Sequence, residues 1–301
     1  MRTAIIWQDT GAISTCIAST ALTSFELLGA LYLVFMEREG RKKLTAFNVS
    51  LGISAVSVIL ANICLILGIA GNHDRRKTGS PYFFEVASIA TFQMCYIYVC
   101  WSRSKGTAKM TSPTLFRTAN VLVILAPIAC YLPVIPLILY YFLDASYEFK
   151  LRITANMSSV FAGVFASTFD SILLTTFVTF LFRNRLETEE ISKDAYIAAQ
   201  HGILANTLSF IAVGLYCASL LFGKDGDWQN MIVSGVLFLC QSIVLNWVVM
   251  KFRLHKLEEQ EDSVIVYGRN SRGEKYGDIV KVVEEEVLGR VSDTTMRSLG
   301  S

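Results

Sequence analysis

Seven stretches of this chain are long, apolar and almost free of charge, and nothing else in it restricts the possible folds so severely. They cover residues 11–35, 46–70, 82–101, 120–143, 155–182, 203–222 and 231–250, together 162 of the 301 residues. A helix needs about 20 residues to cross a hydrocarbon core roughly 30 Å thick, so each stretch is long enough by itself. Of the 27 Lys and Arg and 25 Asp and Glu, only Glu26, Glu85 and Asp170 fall within the stretches. The chain is 17% charged, where soluble domains average about 25%. Transmembrane strands would be runs of about ten residues with alternating polarity, which these are not. In lipid each span must satisfy its own backbone groups as a helix. The sequence therefore predicts an all-α polytopic membrane protein with seven transmembrane helices in one bundle. Its first partner is the lipid bilayer, and no nucleic-acid partner is expected.

The connections are short, 8 to 20 residues, which makes consecutive helices antiparallel neighbours and leaves no room for an inserted domain. Lys and Arg divide unequally between the two sides: 14 in the connections 36–45, 102–119 and 183–202 and the first 15 residues after 250, against seven on the other side, including Arg75, Arg76 and Lys77. By the bias of basic residues toward the cytoplasm, the N-terminus is expected outside and the tail inside. Three regions result: an exterior segment 1–10, the bundle 11–250 and a cytoplasmic tail 251–301. The first ten residues lack a cleavable signal, so the first helix is read as an uncleaved anchor. In the tail, alternating Ser263, Val264, Ile265, Val266 and Tyr267 suggest a strand, and 278–288 a short amphipathic helix, within a largely disordered segment. Ser292, Thr294, Thr295 and Ser298 are available as phosphoacceptors.

A carboxylate at bilayer depth is costly unless paired, protonated or hydrated, so Glu26 and Asp170 are expected to face the interior. On the fifth span Gly163, Ser167, Asp170 and Leu174 share a face, beside a hydroxyl stripe of Thr168, Ser171, Thr175 and Thr179; on the first, Ser19, Thr23, Glu26, Gly29 and Ala30 lie together. Glu85, one turn into the third span, reads as an interfacial residue reaching the headgroups. Pro127, Pro133 and Pro136 kink the fourth span, and kinks open cavities. The candidate ligand-binding residues are Glu26, Gln93, Tyr96, Tyr131, Asp170 and Gln241. Packing faces with a hydrogen-bonded acid inside explain the same pattern, as does proton or cation handling.

Most enzymatic chemistry is set aside. All seven cysteines lie within spans and read as free thiols. His73, His201 and His255 fall in connections or the tail, without helix-spaced partners, so no metal site and no buried His base is expected. A single intramembrane Asp excludes an aspartyl protease pair, no phosphate-binding loop or cofactor fingerprint occurs, and the last span has no Lys to carry retinal. No catalytic role and no cofactor are expected.

By architecture the chain resembles the heptahelical, G-protein-coupled-receptor-like proteins over residues 11–250: seven spans, short outer loops and a charged extension between spans five and six. Family motifs are absent. Cys100-Trp101-Ser102-Arg103 stands where the best-known branch carries an acid-Arg-Tyr triplet, and spans six and seven have no proline. The resemblance implies receptor-like signalling at the plasma membrane, with a ligand in the bundle and a G protein on cytoplasmic loops, where Arg183, Arg185 and Lys193 are the candidate contacts. The alternative is a transporter or lipid-handling protein using Glu26 and Asp170 at the midplane.

Overall fold

The computed structural model describes residues 2–36, 45–70, 79–142, 148–188, 193–222 and 226–271. They form eight helices: α1 (Arg2–Met36), α2 (Ala46–Ala70), α3 (Gly79–Thr111), α4 (Pro113–Tyr131), α5 (Val134–Phe142), α6 (Glu148–Thr188), α7 (Lys193–Phe222) and α8 (Gly226–Ser271). No strand occurs among the described residues. Seven helical segments are long and apolar enough to cross a membrane, α4 and α5 together supplying the fourth. The chain is thus a multi-pass membrane protein.

Its surface agrees with a lipid surround. Phe25 is 73% exposed and Ile128 67%, with Leu28, Ile124, Phe161 and Phe182 also standing outward. Water would not tolerate so much exposed apolar area on a monomer, and hydrocarbon chains do.

Most helices are longer than the apolar stretches that announce them. α2 matches its stretch, whereas α3 continues ten residues beyond 101 and α4 begins seven residues before 120. The link between those two is Ser112 alone, in extended conformation (φ −154°, ψ 112°), its hydroxyl accepting from the Leu115 amide at 3.3 Å with Pro113 opening the helix. A serine cap and a proline at the first helical position need no loop around them, so the expected 18-residue connection is helix on both sides. Between α4 and α5 the chain turns at Leu132 and Pro133, where a proline deprives the ladder of a donor. Pro127 stays within α4.

At the N-terminus α1 starts at Arg2, so the chain ahead of the first span, which begins at Thr10, is helical. One expectation in the tail is corrected. The alternation at 263–267 gives no strand, because α8 runs through it to Ser271. The chain divides into a bundle unit, residues 1–252, and a second unit, 253–301, helical in its described part. The connections bearing Arg38 to Lys43 and Arg75 to Lys77, the 278–288 segment and the four phosphoacceptors lie outside the described residues.

Side-chain pairs set the register. Gly163 lies against Val213, Ser167 bonds Ser209 at 2.7 Å, Ser171 bonds Asn206, and Leu174 lies against Gly202. Numbers on α6 rise as those on α7 fall, so the two are antiparallel. Tyr82 bonds Asn156 and Tyr96 bonds Asp170, each pair 74 residues apart, so α3 and α6 run parallel. Water drives no helices together inside lipid, and such close approaches and interhelical bonds hold the bundle.

The predicted faces are sorted by these contacts. Ser19, Thr23, Glu26 and Ala30 on α1 are buried, as are Gly163, Ser167, Asp170 and Leu174 on α6. The hydroxyl stripe is not a packing face: Thr168, Thr175 and Thr179 are exposed on the bundle's outside, and only Ser171 meets α7. Hydroxyls survive there because they can bond the carbonyl one turn back, as Thr176 does to Ile172 at 2.8 Å.

Candidate functional site

Four helices diverge enough to leave a cavity of about 100 Å³. Tyr82, Glu85, Gln93 and Tyr96 line it from α3, Asn156, Ser159 and Gly163 from α6, Ser209 and Tyr216 from α7, and Gln229, Val233 and Cys240 from α8. These are early positions on α3, α6 and α8 and late ones on the antiparallel α7. The cavity therefore occupies the end of the bundle at which odd-numbered spans begin. It has room for several waters or a small organic group. Gly163 matters to its shape, since a Cβ there would come within 2.9 Å of Val213 Cγ2.

Glu85 is a wall residue of this cavity, 8% exposed. That corrects its reading as a headgroup contact: α3 turns it inward, one face with Phe92 and Tyr96. Asn156 also lines the cavity, accepting the Tyr82 hydroxyl at 3.3 Å.

At the deep end stands Tyr96, its hydroxyl donating to Asp170 Oδ2 at 2.7 Å. Asp170 Oδ1 accepts from Arg103 Nη2, also at 2.7 Å. The Asp170 carboxylate is 0% exposed and the Arg103 side chain 7%. Both oxygens of the acid are engaged, one by a charge and one by a phenol, as burial of a carboxylate demands. Room for the guanidinium is made by Gly202, where a Cβ would fall 2.8 Å from Arg103 Cζ and 3.0 Å from Leu174 Cδ1. Trp247 packs on Tyr96 and Phe92, with ring centroids at 5.7 and 6.4 Å.

The opposite end of the bundle is polar but closely packed. His201 Nδ1 lies 2.6 Å from Asn246 Oδ1, and Asn246 Nδ2 donates to the His201 carbonyl at 2.8 Å. The amide's second bond turns its oxygen toward the ring, so Nδ1 donates the hydrogen of that contact. Lys251 Nζ donates to Asn48 Oδ1 at 2.5 Å. His201 is 7% exposed, which overturns the expectation that no histidine is buried. The misplacement followed from starting the sixth span at 203, when α7 begins at Lys193.

The predicted ligand residues scatter. Gln93 and Tyr96 line the cavity and Asp170 is one bond behind it, whereas Glu26, Gln241 and Tyr131 are not on its wall. Glu26 and Gln241 bond each other. Tyr131 pairs with Thr91 at 2.6 Å. Of the predicted partner contacts, Arg183 and Lys193 are exposed, and the side chain of Arg185 lies outside the described residues. Arg103 was missed because it follows the last apolar residue of its stretch. A seven-residue step from Tyr96 puts it on the same helical face, and that spacing is the signal that would have found it.

Among the described residues no group of three His, Cys, Asp or Glu side chains is placed to hold a metal ion. All seven cysteines are free thiols. In comparisons with known proteins the chain matches no family model and no curated protein.

Proposed function

We propose that this is a receptor-like signalling protein whose small-molecule ligand occupies the cavity and whose partner, of the G-protein kind, reads the opposite end. The observation carrying this reading is the chain of contacts from cavity to far end: Tyr96 is at once a wall of the cavity and a ligand of Asp170, and Asp170 holds Arg103 near the α3 terminus. A molecule that displaces the Tyr96 hydroxyl changes what Asp170 and Arg103 bond. Signalling requires two states that a ligand and a partner bias from separate sites, and this link gives both sites one element to act on. With the N-terminus outside, by the charge bias, the cavity faces the exterior of the plasma membrane and Arg183, Arg185 and Lys193 face the cytoplasm.

The transporter alternative draws less support. Glu26 is not on the cavity's wall, and Asp170 has both oxygens occupied by protein groups.

The test is a cell expressing the full chain with an N-terminal and a C-terminal tag and a G-protein dissociation readout. The N-terminal tag is expected to stain intact cells and the C-terminal tag only permeabilised ones. Asp170→Asn is expected to change ligand-free output, and the pair Arg183→Glu with Arg185→Glu to abolish output at unchanged surface expression. Output indifferent to both sets of substitutions would overturn the reading.

A further inference from the structure

The second buried acid has no base. Glu26 on α1 is 7% exposed and Gln241 on α8 is 2% exposed. Gln241 Nε2 donates to Glu26 Oε1. Glu26 Oε2 and Gln241 Oε1 are each buried without a hydrogen-bond partner. The basic and imidazole groups inside the bundle are engaged elsewhere: Arg103 with Asp170, His201 with Asn246, Lys251 with Asn48. Among the described residues Glu26 makes no ion pair.

An ionised Glu26 would leave one charge uncompensated in a low-dielectric interior and two oxygens, its own Oε2 and Gln241 Oε1, facing no donor. A hydrogen on Oε2 removes both difficulties at once. It neutralises the acid, and it supplies the donor that Gln241 Oε1 lacks, completing a two-bond ring in which the amide donates to one carboxyl oxygen and the carboxylic acid donates back to the amide oxygen. We infer that Glu26 and Gln241 form a resident proton-binding site, a neutral carboxylic acid–carboxamide pair that clamps the first span to the last. The pair stands independently of the receptor reading. It gives Glu26 a role apart from cation transport, because a protonated acid offers no charge to a passing cation.

Glutamine at position 26 keeps the shape and the donor–acceptor order of the protonated acid, with one N–H of Nε2 donating where Oε2–H did and a second N–H added. The test is infrared absorption of the purified full chain in lipid nanodiscs, with thermal melting alongside, for the parent protein, Glu26→Gln, Glu85→Gln and Gln241→Leu. The parent is expected to show a carboxylic-acid carbonyl stretch that Glu26→Gln loses and Glu85→Gln keeps. In Gln241→Leu the band is expected to persist and move to higher frequency, as Oε1 loses its amide donor. Melting of Glu26→Gln should fall within about 3 °C of the parent. No such band in the parent, a band unchanged by Glu26→Gln, or a Glu26→Gln chain that does not fold would each overturn the proton assignment. Stabilisation of the parent by sodium chloride over choline chloride, lost in Glu26→Gln, would assign the site to a sodium ion instead.

Discussion

Asp170 and Glu26 look alike in the sequence, single acids near the middle of apolar spans, and the bundle treats them in opposite ways. Asp170 is given a guanidinium and a phenol, one to each oxygen. Among the described residues Glu26 is given one amide and no positive charge. The first is the arrangement of an ionised carboxylate, the second that of a protonated one. The difference teaches that burial alone does not decide the state of an acid in a membrane helix; the facing helix does, by what it supplies.

Removing the base should separate them most. Arg103→Leu leaves the buried Asp170 without its cation, so the acid must either hold an uncompensated charge or take up a proton, and breaking such a pair typically costs about 3–5 kcal/mol. Thermal melting in detergent is expected to fall steeply, and Asp170→Asn in the same chain should recover much of the loss. If Arg103→Leu melts no lower than the parent, Asp170 holds no charge that Arg103 compensates and the contrast with Glu26 collapses.

Crowding the guanidinium comes next. Gly202→Ala sets a methyl 2.8 Å from Arg103 Cζ, and an overpacked interior costs about 1–3 kcal/mol. Because Asp170 pins the guanidinium, the penalty should shrink when Arg103→Leu is already present. A penalty of equal size in both backgrounds would mean the methyl clashes with Leu174 alone.

Tyr96→Phe removes one donor from the Asp170 carboxylate while leaving the ring packed on Trp247. An interhelical bond in a membrane bundle is worth about 0.6 kcal/mol on average and about 1.7 at most, and the charged acceptor places this one toward the upper value. A melting temperature identical to the parent's would show that the Tyr96 hydroxyl contributes nothing to holding the charge.

The smallest effect is expected at Glu26. Replacing it by Gln should cost less than about 0.6 kcal/mol, whereas Asp170→Asn, which strips the charge from beneath Arg103, should cost several times more. Equal costs for the two amide substitutions, measured by melting under the same conditions, would erase the distinction between the acids.

Much of the architecture was legible before any coordinates. Apolar runs of 20 to 28 residues cross a bilayer and must be helical, since lipid offers their backbone no other partner. So the number of spans, the all-α class and the inward placement of Glu26 and Asp170 followed from composition along the chain. The ends of the helices did not. Hydropathy marks where a helix leaves hydrocarbon, not where it stops, and a cap such as Ser112-Pro113 or a charged continuation such as 102–111 extends it past that point. Arg103 and His201 were set among the connections for this reason.

What only the tertiary structure decided is which residue faces which. Tyr96, Arg103 and Asp170 lie on two helices and up to 74 residues apart, and Glu26 and Gln241 on the first and last spans, 215 residues apart. One helix fixes the spacing of its own side chains, but the rotation and register of its neighbour come from how all seven pack together. The sequence by itself determined that two acids must be hidden from lipid. Only the packing determined that one is answered by a cation and the other by an amide, because a charge in a low-dielectric interior is settled by the atoms within hydrogen-bond reach and by nothing more distant along the chain.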